Sequence, residues 1–222
     1  SATAAIVSYG GASGTNGAIA NQASTTALAS NVDPIIGIVG GDYITINNLD
    51  IRGNVGNLVA DHAVGIYNSG VTDGATNNTI SNVTATMNRA NTGSRGFLSN
   101  VITTPSSAAG ANSHNTFRDF TITRVYAGIQ LLGNATFPDL NTQVIRTNCA
   151  TYNTIGNPAT LNDIGNGTSQ TYGILATNLS GFNISNNSIR NVSGSAVQTD
   201  GIVINTFQGT STVSNNKVQT IR

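Results

Sequence analysis

Nine aspartates and two histidines are the side chains with which acid–base chemistry would have to begin in this 222-residue chain, because glutamate is absent. Asp61 and His62 are adjacent, as a proton-transfer pair would need. Neighbours along an extended strand point to opposite faces, however, so the pair reads better as a solvated turn. Asp119, with Arg118 and Arg124, is the densest group of charge. Asp73-Gly74 and Asp200-Gly201 read as turn dipeptides. A glycosidase needs two carboxyl groups spaced across a groove, and a polysaccharide lyase needs a carboxylate cluster for calcium plus a basic proton acceptor. Here the aspartates are scattered singly, so the reading leans towards a protein without catalysis, with no cofactor and no metal site. Cys149 stands alone, can form no intramolecular disulfide, and is expected to be a small buried filler. The threonine pairs Thr84/Thr86 and Thr121/Thr123 would suit an ice-ordering face only if they persisted along the chain, and they do not.

The elements that must carry these residues follow from composition. Asn, Thr, Ser and Gly are abundant, which favours strands and turns and predicts almost no helix. Charged residues make up 8% of the chain, nine basic against nine acidic. That balance gives no footprint for nucleic acid, and no apolar run is long enough to insert in a membrane. Zero net charge and regularly recurring Ile and Val argue for an ordered fold.

A repeat supplies the architecture. Gly65, Gly96, Gly128, Gly173 and Gly201 each precede a short apolar strand, at steps of 31, 32, 45 and 28 residues. A second marker, an apolar residue two before Asn or Asp, gives Ile46/Asn48, Ile80/Asn82, Phe117/Asp119, Ile155/Asn157, Ile184/Asn186 and Val213/Asn215. A period near 30 with three short strands per copy predicts an all-β, right-handed parallel β-helix of about six to seven coils. Residues 1–41 form divergent N-terminal coils or an entry segment, and 42–222 form one continuous repeat domain. Sharp bends favour residues that tolerate the left-handed region, so Asn48, Asn82, Asp119, Asn157, Asn186 and Asn215 are expected to form a structural Asn/Asp ladder. Their apolar partners should form an inward column, joined by Ile66, Phe97, Ile129, Ile174 and Ile202.

Loops are expected to protrude at 103–115, 134–151 and 158–170, and loops are where binding concentrates. The candidate ligand-facing residues are His114, Phe137, Asp139, Tyr152, Asp163 and Tyr172. Tyr126, Tyr152 and Tyr172, near coil corners, with Phe137 in the longest loop, would suit a sugar-binding groove. The closing TVSNNKVQTIR stops inside a strand motif, so the chain is expected either to be a segment of a longer protein or to self-associate end to end.

The stretches DYITINNLDI, NNTISNVTATM, NTFRDFTITRVYAGIQL, NTIGN with NDIGNGTSQTYGI, and NISNNSIRNV resemble the parallel β-helix repeats of very large secreted surface proteins of gliding and related bacteria, of the kind exported by the type IX pathway. The resemblance covers roughly residues 42–222. It implies an extracellular or cell-surface location and an adhesin or filament role, with glycans or other surface proteins as partners. Two other readings stand beside it: a polysaccharide-binding or polysaccharide-degrading, pectate-lyase-like protein, and a trimeric receptor-binding spike.

Overall fold

The computed structural model describes residues 5–9, 34–53, 62–148, 151–160, 163–166, 170–194 and 198–222. Asp61 and Cys149 lie outside the described residues. Eighteen strands follow in order: β1 (Ala5–Tyr9), β2 (Pro34–Val39), β3 (Thr45–Gly53), β4 (His62–Tyr67), β5 (Thr79–Thr86), β6 (Arg95–Asn100), β7 (Thr116–Arg118), β8 (Thr121–Thr123), β9 (Ala127–Leu132), β10 (Asp139–Leu140), β11 (Gln143–Ile145), β12 (Asn153–Ile155), β13 (Thr171–Ser180), β14 (Asn183–Ser185), β15 (Asn187–Val192), β16 (Thr199–Gln208), β17 (Thr212–Ser214) and β18 (Lys217–Ile221). The only helical element among the described residues is a single 3-10 turn, Ala108–Gly110. The protein is all-β.

The strands form two parallel sheets. One holds eleven strands, in the order β17-β14-β11-β7-β5-β8-β12-β15-β18 with β3 on β5 and β1 on β3; the other runs β10-β13-β9-β6-β4-β2, with β16 on β13. Because β1 pairs with β3 and β2 with β4, the ladders reach back before residue 42.

Register makes apolar columns. Ile46, Ile80, Phe117, Val144, Ile184 and Val213 pair in succession. So do Ile51, Ala85, Ile122, Ile155, Ile189 and Val218. From the other sheet come Ile36, Val64, Phe97, Ile129, Ile174 and Ile202. Most members are fully buried, and each large side chain so buried is worth about 1.5–3 kcal/mol of transfer free energy. Phe97 stacks on Phe117 at 5.4 Å and meets Phe120 edge-on at 5.2 Å, tying the two sheets together.

Two markers shift against expectation. Ile155 belongs to the second column, and its expected place beside Phe117 and Ile184 is taken by Val144. The segment 139–145, expected inside a loop, therefore contributes β10 and β11. Ile66 pairs with Ile38 and Ser99, two residues out of step with Phe97, because Gly65 pairs with Gly37 and Leu98. The true glycine row is Gly96, Gly128, Gly173 and Gly201, and its cause is steric. A Cβ on Gly96 would lie 2.6 Å from Ile122 Cδ1, and one on Gly128 would lie 2.7 Å from Ile155 Cγ2. At Gly173 and Gly201 the obstructing side chains are Ile189 and Val218. The row is where the two sheets approach each other.

Among the described residues fourteen non-glycine positions have positive φ, and eight are Asn, the residue whose short amide best tolerates that region. Asn48, Asn82, Asp119, Asn186 and Asn215 are among them, with φ of 59, 51, 56, 59 and 50°. Asn157 is not. In its repeat the left-handed residue is Gly156, in a different row of bends with Arg124, Asn191 and Thr220.

Candidate functional site

The polar groups that link one repeat to the next are amides outside the expected ladder, two of them, Asn187 and Asn216, one residue beyond it. Asn153 and Asn187 are fully buried. Asn153 Nδ2 donates to Asn187 Oδ1 (2.9 Å) and to the carbonyl of Ile145 (2.7 Å), while Asn153 Oδ1 accepts from the Phe120 N–H. Asn187 Nδ2 donates to Asn216 Oδ1 (2.9 Å), and Asn216 Nδ2 to the Ile184 carbonyl (2.8 Å). A second row, at another bend, has Asn115 Oδ1 accepting from the Asn78 N–H (2.9 Å) and Asn112 Oδ1 from the Ala75 N–H (3.0 Å). The expected ladder residues lie nearer solvent: Asn186 is half-buried and Asn215 exposed, and Asn215 Nδ2 donates to Asn186 Oδ1.

Asp119 sits at its bend with several partners. It accepts from Arg118 Nη1 (2.9 Å), from the Thr147 N–H (3.0 Å) and from the Thr147 hydroxyl, and it pairs with Arg146 Nε at 3.3 Å. Desolvation pushes its carboxyl up, but those hydrogen bonds and the Arg146 charge outweigh it, leaving the group below the ordinary carboxylate value. Asn157 uses Oδ1 to accept from the Ala159 N–H (2.9 Å), opening the loop that follows.

The six candidate ligand-facing residues are dispersed. His114 is an exposed bend residue with φ of 60°, its ring 3.3 Å from the Asn141 amide. Phe137 is half-buried beside a turn held by Asn134 Oδ1. Tyr152 is half-buried under Lys217, whose Nζ lies 4.3 Å from the ring centroid. Asp163 is buried and braces two segments, accepting from the N–H groups of Asn157 (2.8 Å) and Arg124 (3.1 Å). Asp139 is fully buried: Oδ1 accepts from the Asn112 N–H (2.9 Å), whereas Oδ2 has no hydrogen bond. Burial raises its carboxyl to about 8, with the Asn112 N–H and the neighbouring Ser99 hydroxyl pulling the other way. Asp139 and Asp163 are therefore interior groups, unable to meet a ligand at the surface. His62, expected in a solvated turn, is buried at the start of β4.

Tyr172 alone of the six enters a larger constellation. It pairs with Asp200 across β13 and β16, and its hydroxyl interacts with Arg95; burial nevertheless holds its pKa above the ordinary value. Arg95 Nε donates to Gln130 Oε1 (2.6 Å), and its Nη1 donates to the carbonyls of Thr92 (3.2 Å) and Gly93. The guanidinium lies 5.8 Å from the Tyr126 ring centroid. Tyr126 donates its hydroxyl to the Gln170 carbonyl (2.6 Å). Gln170 Nε2 then reaches Gln198 Oε1 (2.8 Å), and Gln198 Nε2 reaches Asp200 Oδ2 (2.6 Å). These groups lie on the outward face of β6, β9, β13 and β16, around Leu98, Leu175 and Val203.

The sequence carried a signal for this face. Arg95, Ala127, Tyr172 and Asp200 each directly precede a glycine of the inward row, and Tyr126, Ala127 and Tyr172 form a cluster separate from the interior core. Among the described residues no three of His, Cys and Asp are gathered so as to hold a metal ion. Comparisons with protein-family models, with curated proteins and with solved structures found no match.

Proposed function

We propose that the chain is a right-handed parallel β-helix serving as a structural and adhesive module of an extracellular bacterial surface protein or filament. The observation that carries this reading is the amide row Asn153–Asn187–Asn216, its first two members fully buried, whose side chains join successive repeats. Polar groups spent this way define register and stiffness, as amide ladders do in stacked sheets. Uniformly parallel ladders between segments 27–40 residues apart support the helical winding.

Electron microscopy and solution X-ray scattering over a range of concentrations test the reading. The expected result is growth along one axis only, with the spacing of about 4.8 Å between strands running along it. A compact particle at every concentration would count against the filament role.

A further inference from the structure

We propose that the outward face of β6, β9, β13 and β16, centred on Arg95, binds a carboxylate-bearing oligosaccharide; this deepens the adhesive reading above by naming the ligand class.

Charge comes first. Arg95 has no ion-pair partner among the described residues. Its Nε and Nη1 are held by the neutral oxygens of Gln130, Thr92 and Gly93, and its plane is backed by Tyr126. The positive charge is thus oriented without being neutralised, and the side chain is half-buried. An oriented guanidinium is the side chain best matched to a carboxylate.

The surroundings select the rest of the ligand. Gln130, Gln170, Gln198 and Asp200 offer amide and carboxylate groups beside the half-exposed Leu175 and Val203, a mixture that suits the hydroxyls and the C–H faces of a sugar. Arg95 and Asp200 are three strands apart, about 14 Å at ordinary strand spacing, so the strip accommodates more than one sugar unit. An extended peptide docks on sheets mainly by adding to a free edge. β6, β9 and β13 are paired on both sides, and their backbones are already committed.

The test measures calorimetric binding of a β-1,4-oligomannuronate and of the neutral β-1,4-mannan oligomer of equal length. The uronate is expected to bind, with the mannan, Arg95→Gln and Leu175→Glu each weakening the interaction about tenfold. Leu175→Glu sets a repelling carboxylate at an outward position beside Gln130 and Val203, so it decides the matter even if Arg95→Gln melts early. Uronate binding undiminished by Leu175→Glu, equal binding of the two oligomers, or no uronate binding would overturn the proposal. So would an acidic tetra-aspartate peptide that binds through Arg95 where the uronate does not. Because assembly is read separately by microscopy, a filament that binds no uronate refutes this inference alone.

Discussion

The side-chain amide of Asn153 donates to the side-chain oxygen of Asn187 across 2.9 Å, inside the protein and fully shielded from water. Asn187 passes the contact on to Asn216. Each amide satisfies groups of two repeats at once, so the row couples neighbours that lie 34 and 29 residues apart in sequence.

Replacing Asn187 by Ala leaves Asn153, Asn216 and the Val144 carbonyl short of a partner. The expected loss is about 1–3 kcal/mol in urea unfolding. Asn186→Gly, one residue earlier, keeps the left-handed bend and removes only a half-buried amide, so its cost should stay below about 1 kcal/mol. Equal effects of the two substitutions would show that the buried row is not the coupling element.

Gly96→Ala tests the close approach of the sheets. The three nearest atoms to the added methyl all belong to Ile122, so overpacking should cost about 1–3 kcal/mol. Combining it with Ile122→Ala should recover part of that cost in a double-mutant cycle. Strict additivity would place the strain elsewhere.

Asp139 gives a pH dependence with a definite sign. Its folded carboxyl is raised to about 8 from an ordinary value of 3.8, so between those values the folded chain binds more protons than the unfolded one. Stability is then fully present below the unfolded value and falls as pH rises towards about 8. Asp139→Asn should flatten that decline in thermal melts recorded from acid to mildly alkaline pH, and an unchanged slope would place the dependence on another group.

Asp119 has the opposite sign. Its carboxyl is lowered by Thr147, Arg118 and Arg146 against desolvation, so its contribution is present above the unfolded value and lost as pH falls through the folded one. Asp119→Asn keeps a residue suited to the left-handed bend but removes the charge, so it should lower stability at neutral pH, change it little in acid, and so flatten the loss on acidification. Acid melts of the two proteins, compared at matched ionic strength, check this.

The sequence marker of an apolar residue two before Asn or Asp found real bends at Asn48, Asn82, Asp119, Asn186 and Asn215, because the left-handed region is a local steric preference that a residue type can signal. It failed at Asn157, where NTIGN imitates the motif while Val144 holds the column. Parity failed at Gly65 for a similar reason: a glycine before an apolar residue looks the same whether it faces the opposite sheet or the outside. The Arg95 constellation was present as the residues preceding the inward glycines, yet reading it required knowing why those glycines are glycines.

What the sequence by itself determined is the class: an all-β chain of parallel repeats, specified by Asn-rich bends and short apolar strands that are local properties. Tertiary structure decided which repeat each segment joins, which amides are buried, and that Asp139 lies inside while Arg95 faces out. Those outcomes depend on register between strands distant in sequence. A shift of one residue exchanges inward side chains for outward ones, and the packing of Ile122, Ile155 and Ile189 against the glycine row, with the three apolar columns, favours the register observed.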